Sequence, residues 1–143
     1  MNFMHLILQT TPYLNGLALT LIRIGIGILF IGHGYLKFVA GYSNWLWTGQ
    51  QMALVGITFA PLFWGICAML SELGGGICLM LGFYTRIAAA FMAFTMLIAL
   101  IYHIKKGDSF TVYAFPLSQL LIFIGLMIAG SGDFSLDKLL SAQ

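Results

Sequence analysis

The sequence predicts an all-α membrane protein: a bundle of four transmembrane helices with an interfacial segment between the first two. Three observations carry that prediction. Hydrophobic residues make up 61% of the 143, and charged residues only 7%, against roughly 25% charged in a soluble domain. The apolar residues gather into four runs, each near the roughly 20 residues a helix needs to cross a bilayer. None of the runs alternates with period two, the pattern of a membrane β-barrel strand. The length suits a single domain over residues 1–143.

The first crossing is expected over about 14–37, with Pro12 and Asn15 at its start and Lys37 at its end. The N-terminal stretch "MNFMHLILQT" carries no Lys or Arg before its apolar part. It lacks the basic start of a secretory signal and is expected to stay on the mature protein. The link "GYSNWLWTGQQMALVGITFA" brings Tyr42, Trp45 and Trp47, residues suited to the lipid headgroup level. It reads as a short helix on or partly in the interface, with a re-entrant element as the alternative.

The second crossing is expected over about 61–81, opening on Pro61, and the third over about 85–103 after the tight link "GFYTR". "IKKGDSF", with its Gly-Asp turn signal, leads to the fourth crossing over about 112–129. The tail "GSGDFSLDKLLSAQ" breaks at glycines, after which Ser135 can cap a brief amphipathic helix. Four crossings put both termini on one side. Lys37, Lys105 and Lys106 fall on one face and Arg86 and Lys138 on the other, too even a split for the positive-inside rule to set orientation. A net charge of +2, thinly spread, is too small to suggest a nucleic-acid partner, and none is expected.

Cys67 and Cys78 lie in one expected helix, about 16 Å apart along its axis, too far to bond to each other. They read as small buried residues. His33 and His103 lack a clear third ligand, so no metal site is expected. The G-x-G pairs of the first helix follow no strand and make no nucleotide loop.

The rare polar residues suggest where chemistry lies. The topology gathers His33, Lys37, His103, Lys105, Lys106 and Asp108 on one face, with Gln119 about two turns deeper. This reads as a polar ligand pocket beneath the tryptophan segment. Lys37, Glu72, Asp108 and Gln119 are its expected ligand-binding residues. His33 and His103 are its candidates for proton exchange, because imidazole titrates near neutrality.

Arg23 and Glu72 lie deeper still. Counted from that face, Arg23 sits at about 21 Å and Glu72 at about 16 Å. An isolated charge at such depth costs roughly 3 kcal/mol. The two are therefore expected to form a buried ion pair, read either as a structural bolt or as part of a ligand or proton site. Gly27 and Gly34 share the face of Arg23, and Gly65 and Gly75 or Gly76 that of Glu72. Small residues there suit close helix packing. Arg86 reads as an interfacial anchor.

Taken in order, "LIRIGIGILFIGHGYLKF", "SELGGGICLMLGFYTRIAA", "HIKKGDSF" and "GSGDFSLD" resemble the DoxX family of small bacterial membrane proteins. The resemblance spans most of the chain. It implies a four-helix architecture and a multi-pass place in the bacterial inner membrane. It gives added weight to Arg23, His33, Lys37, Glu72, Gly75, Arg86, His103 and Asp108. Family members are commonly labelled oxidoreductases and are associated with quinone-, thiol- and oxidative-stress systems. The chain carries no dithiol, no dinucleotide loop and no paired mid-helix histidines of haem type. No covalently bound cofactor is expected. The redox group would be a diffusible quinone or would sit in a partner subunit. Two readings follow: a component of a quinone- or thiol-linked redox system, or a non-enzymatic module that binds or transports a small ligand or scaffolds partners. The bilayer is the partner in both, and a homo-oligomer is left open.

Overall fold

The computed structural model describes residues 12–142, all helical or in short connections. The N-terminal stretch expected to persist on the mature protein lies outside the described residues. Helix α1 runs Pro12–Ala40 and α2 Tyr42–Gln50, followed by a 3₁₀ turn, Gln51–Val55. Helices α3 (Pro61–Leu81), α4 (Thr85–Lys106) and α5 (Phe110–Ala129) follow, and α6 (Leu136–Ser141) closes the described chain. Four of these, α1, α3, α4 and α5, are long and apolar enough to span a membrane. No strand occurs among the described residues.

Local chemistry sets the helix ends. Pro61 occupies the first turn of α3, where its missing N–H costs nothing and its fixed φ suits the helix. Gly82 at φ 66° and Gly107 at φ 80° end α3 and α4 in the left-handed conformation that glycine adopts without strain. Ser135 caps α6, its Oγ accepting from Lys138 N at 3.2 Å.

The three glycines after Glu72 divide their tasks. Gly76 backs onto Gly27 and Ile31 of α1, and Gly75 faces Met92 of α4, while Gly74 meets nothing. Gly34 abuts the backbone of Leu73 so closely that a Cβ would overlap it. A seam of small residues is how membrane helices associate where no hydrophobic drive separates protein from lipid. Behind it, Phe30, Leu79, Met92 and Phe123 form a core with almost no exposure, the two phenylalanine rings edge to face at 5.0 Å.

Helix α2 sets the vertical register. Gly65 meets the Trp45 backbone and Gly49 that of Pro61. These contacts run in opposite sequence order, so α2 packs antiparallel against the first turns of α3. Trp45 Nε1 donates to Lys37 O at 2.8 Å, fastening α2 to the end of α1. Pro61 is therefore level with Gly49, well beyond Lys37.

Candidate functional site

That register corrects the expected Arg23–Glu72 ion pair. The sequence reading set Lys37 level with Pro61, which left Arg23 and Glu72 within reach. With α2 inserted between them, Glu72 drops to the level of Gly34, one turn from Lys37. Lys37 Nζ accordingly meets Glu72 Oε1 at 2.7 Å. Arg23 lies toward the other membrane face. Its Nη1 donates to Leu79 O at 3.1 Å, and its Nη2 to Phe134 O at 2.6 Å and to Thr20 Oγ1 at 3.3 Å.

Glu72 is the buried member of its pair. Its side chain is 3% exposed, whereas that of Lys37 is 27% exposed. Lysine can bury its stem and keep its ammonium wet, and a carboxylate on a short stem cannot. Oxygen Oε2 of Glu72 is fully buried without a hydrogen-bond partner, and the same holds for Trp64 Nε1 and Asn44 Oδ1. All three residues line one cavity of about 970 Å³ between α2, α3 and α4, together with Lys37 and His103. That volume lies near the top of the roughly 300–1,000 Å³ range of small-molecule sites. A buried polar atom without a partner costs about 1–3 kcal/mol, and Glu72 and Trp64, which line the same cavity, each carry one.

His103 lines this cavity from the last turn of α4. Its Nδ1 lies 2.7 Å from Asp108 Oδ2 in the α4–α5 connection. A carboxylate accepts, so Nδ1 is the donating nitrogen of this contact. The His103 hydrogen bond, aided by the Lys106 charge at 3.6 Å, holds the Asp108 carboxyl below the usual carboxylate range against the opposing effect of burial. Lys105 turns away and donates to Leu54 O at 3.0 Å.

The other expected site residues are placed elsewhere. His33 is exposed on α1, its ring 5.7 Å from that of Phe30 and 5.6 Å from that of Phe115 on α5. Gln119 is buried on α5 with Oε1 unpartnered, and it does not line the cavity. Lys37, Glu72 and His103 therefore share one cavity, Asp108 orients the histidine, and His33 and Gln119 belong to the α5 side. Among the described residues, no three His, Cys, Asp or Glu side chains gather closely enough to hold a metal ion.

Sequence reasoning missed Trp64 and Asn44. A tryptophan N–H inside an apolar run was the available signal for the first. It also missed the device on the opposite face. Asp137 of α6 accepts from Tyr84 N at 2.7 Å and from Thr85 N at 3.0 Å. It caps α4 from 52 residues beyond Thr85 in sequence, placing negative charge at the positive end of the helix.

The fold and the site define a four-crossing helical membrane protein with a part-buried ion pair beside a cavity between α2, α3 and α4. The DoxX family model matches residues 18–105. Inner membrane protein YqjF of Escherichia coli (strain K12) is 35% identical over 134 residues, covering 91% of this chain and 97% of that protein. No solved structure matches. The chain belongs to the DoxX family and is a multi-pass protein of the bacterial inner membrane.

Proposed function

We propose that this DoxX-family protein binds a quinone in the α2–α3–α4 cavity, as the ligand-holding component of a redox system whose other redox centre sits in a partner subunit. The observation that carries the reading is that Glu72, Trp64 and Asn44, which line one largely apolar cavity, each carry a buried polar atom without a partner. A quinol offers hydroxyl donors and a quinone carbonyl acceptors. When bound, it would supply a two-electron, two-proton couple.

The residues present fit both forms. Glu72 Oε2 and Asn44 Oδ1 accept from hydroxyls, and Trp64 Nε1 donates to a carbonyl. Lys37 neutralises Glu72, so the carboxylate can remain in an apolar cavity. His103, oriented by Asp108, exchanges a proton with water. Cys67 also lines the cavity.

The test is quenching of tryptophan fluorescence by a short-chain quinone analogue in mild detergent, since Trp47 and Trp64 both line the cavity. Saturable quenching is expected. Glu72→Gln should weaken it by about 10- to 100-fold, the worth of a hydrogen bond to a charged group at roughly 1.5–3 kcal/mol. Quenching that does not saturate, or that ignores Glu72→Gln, would overturn the quinone reading. Saturable binding without electron transfer to copurified partners would leave a ligand-binding module.

A further inference from the structure

We propose that the cavity takes a long-chain amphiphile with a neutral head, its chain lying along α4 and entering from the bilayer between α3 and α4. This deepens the reading above and rests on it for the head group. The cavity does not end around Glu72. It continues along α4 as far as Arg86 and Ile87, at the opposite end of that helix from His103. The separation of Arg86 from His103 corresponds to about 25 Å of helix, far more than a ring-sized head requires. Ile87, Phe91, Phe94 and Ile98 line this length, and their spacing of four, three and four residues is one helix face.

The packing of α3 and α4 explains the opening. The helices touch where Gly75 meets Met92 and where Thr95 Oγ1 donates to Ser71 Oγ at 3.1 Å. Phe63, Phe91 and Phe94 line the cavity yet are 57%, 63% and 45% exposed. In a membrane-spanning segment those faces meet lipid, so the rim of the cavity opens onto the hydrocarbon.

The polar end selects the head. Lys37 and Glu72 cancel in charge, and the free oxygen of Glu72 would oppose an anionic phosphate. The Trp64 N–H and Glu72 Oε2 instead ask for a neutral head that both accepts and donates. A phospholipid acyl chain could fill the apolar groove but would leave those atoms unmatched.

Binding of two quinone analogues with the same ring, one without a chain and one with a ten-carbon chain, decides the matter. Tryptophan quenching is measured on protein in nanodiscs, with concentrations corrected for partitioning into lipid. Wild type is expected to bind the long-chain analogue at least tenfold more tightly. Ala90→Phe, which fills the middle of the groove away from the head, should remove that advantage and leave the chainless analogue unaffected. Should Ala90→Phe fold poorly, Phe94→Ala at the outward rim should lower the advantage about threefold.

Equal affinity for the two analogues in wild type would overturn the proposal while the quinone reading stands. Chain-dependent binding untouched by both substitutions would place the chain elsewhere and overturn it too. Displacement of the long-chain analogue by added phospholipid at equal mole fraction would make the groove a lipid slot, against the proposal. Absence of binding by both analogues would remove the quinone reading itself, and this inference with it.

Discussion

Replacing Lys37 by methionine should damage the protein more than replacing Glu72 by glutamine, because the two ends of the pair differ in burial. Glu72 is 3% exposed and Lys37 27%. Lys37→Met strands a carboxylate whose other oxygen already lacks a partner. Breaking a buried pair in this way costs roughly 3–5 kcal/mol. Glu72→Gln keeps an amide oxygen that can accept from Lys37 Nζ and leaves an ammonium that can extend along its stem toward the membrane face, so its cost should be only about 1 kcal/mol. Lys37→Met combined with Glu72→Leu should recover most of the loss, since an apolar pair of similar volume is often as stable as a buried ion pair. Reversible unfolding in mixed dodecyl sulfate micelles, followed by tryptophan fluorescence, measures all three. Arg23→Ala and Glu72→Gln should add without coupling, because the two residues share no partner. Glu72→Gln costing as much as Lys37→Met would refute the burial argument. A coupling of more than about 1 kcal/mol between Arg23 and Glu72 would refute the register.

Three further outcomes are expected. Gly34→Leu should abolish folded protein on size-exclusion chromatography, because Leu73 backbone occupies the space, while Gly32→Ala, with nothing within 4 Å, should behave as wild type. Asp137→Ala should cost about 1 kcal/mol, as loss of a helix N-cap does, and should speed hydrogen exchange at Tyr84 and Thr85, whose amides it holds. The Asp108 carboxyl, followed by carbon NMR, should titrate below the ordinary value of about 3.9. Its midpoint should rise in His103→Ala, which removes the largest cause of the lowering. Because that value is depressed, its contribution to stability is present above about pH 3.9 and is lost as pH falls through the folded value.

The four crossings were legible because bilayer thickness fixes helix length, and 61% hydrophobic composition leaves few other solutions. The Ser135 cap and the Gly27, Gly34 and Gly76 seam were legible for similarly local reasons: a hydroxyl before a short helix, and glycines on one helical face. The partner of Glu72 was not legible. Choosing between Arg23 and Lys37 needs the vertical offset of α1 and α3, which α2 sets through the Gly49–Pro61 and Gly65–Trp45 contacts. Setting Lys37 level with Pro61 puts Glu72 beside Ile26, whereas it lies beside Gly34; that shift of about eight residues is about 12 Å along the helix, more than an arginine side chain can span. The separation of His33 from His103 was hidden for a different reason. Membrane side is read from sequence, but which helix face turns to which neighbour depends on packing around the bundle axis. His33 turns to Phe115, and His103 to Asp108 and the cavity.

The two cations of α1 show why one end of the bundle is structural and the other is suited to a ligand. Arg23 presents a planar fork, and it grips the carbonyls of Leu79 and Phe134, which ties the end of α3 to the segment entering α6. Gly82 lies against that guanidinium and against Ser135, so the turn after α3 is closed by backbone and side chain alike. Asp137 then caps α4 from the same segment. Every partner there is another part of the chain, which is what a fixed closure needs. Lys37 meets a carboxylate that keeps one oxygen in reserve, and it does so beside a cavity with an unpartnered donor and a second unpartnered acceptor. Helix α2 and the glycine seam together hold the register of α1 and α3 without any charge. The quinone proposed above would supply the partner that Glu72 Oε2 lacks within the chain.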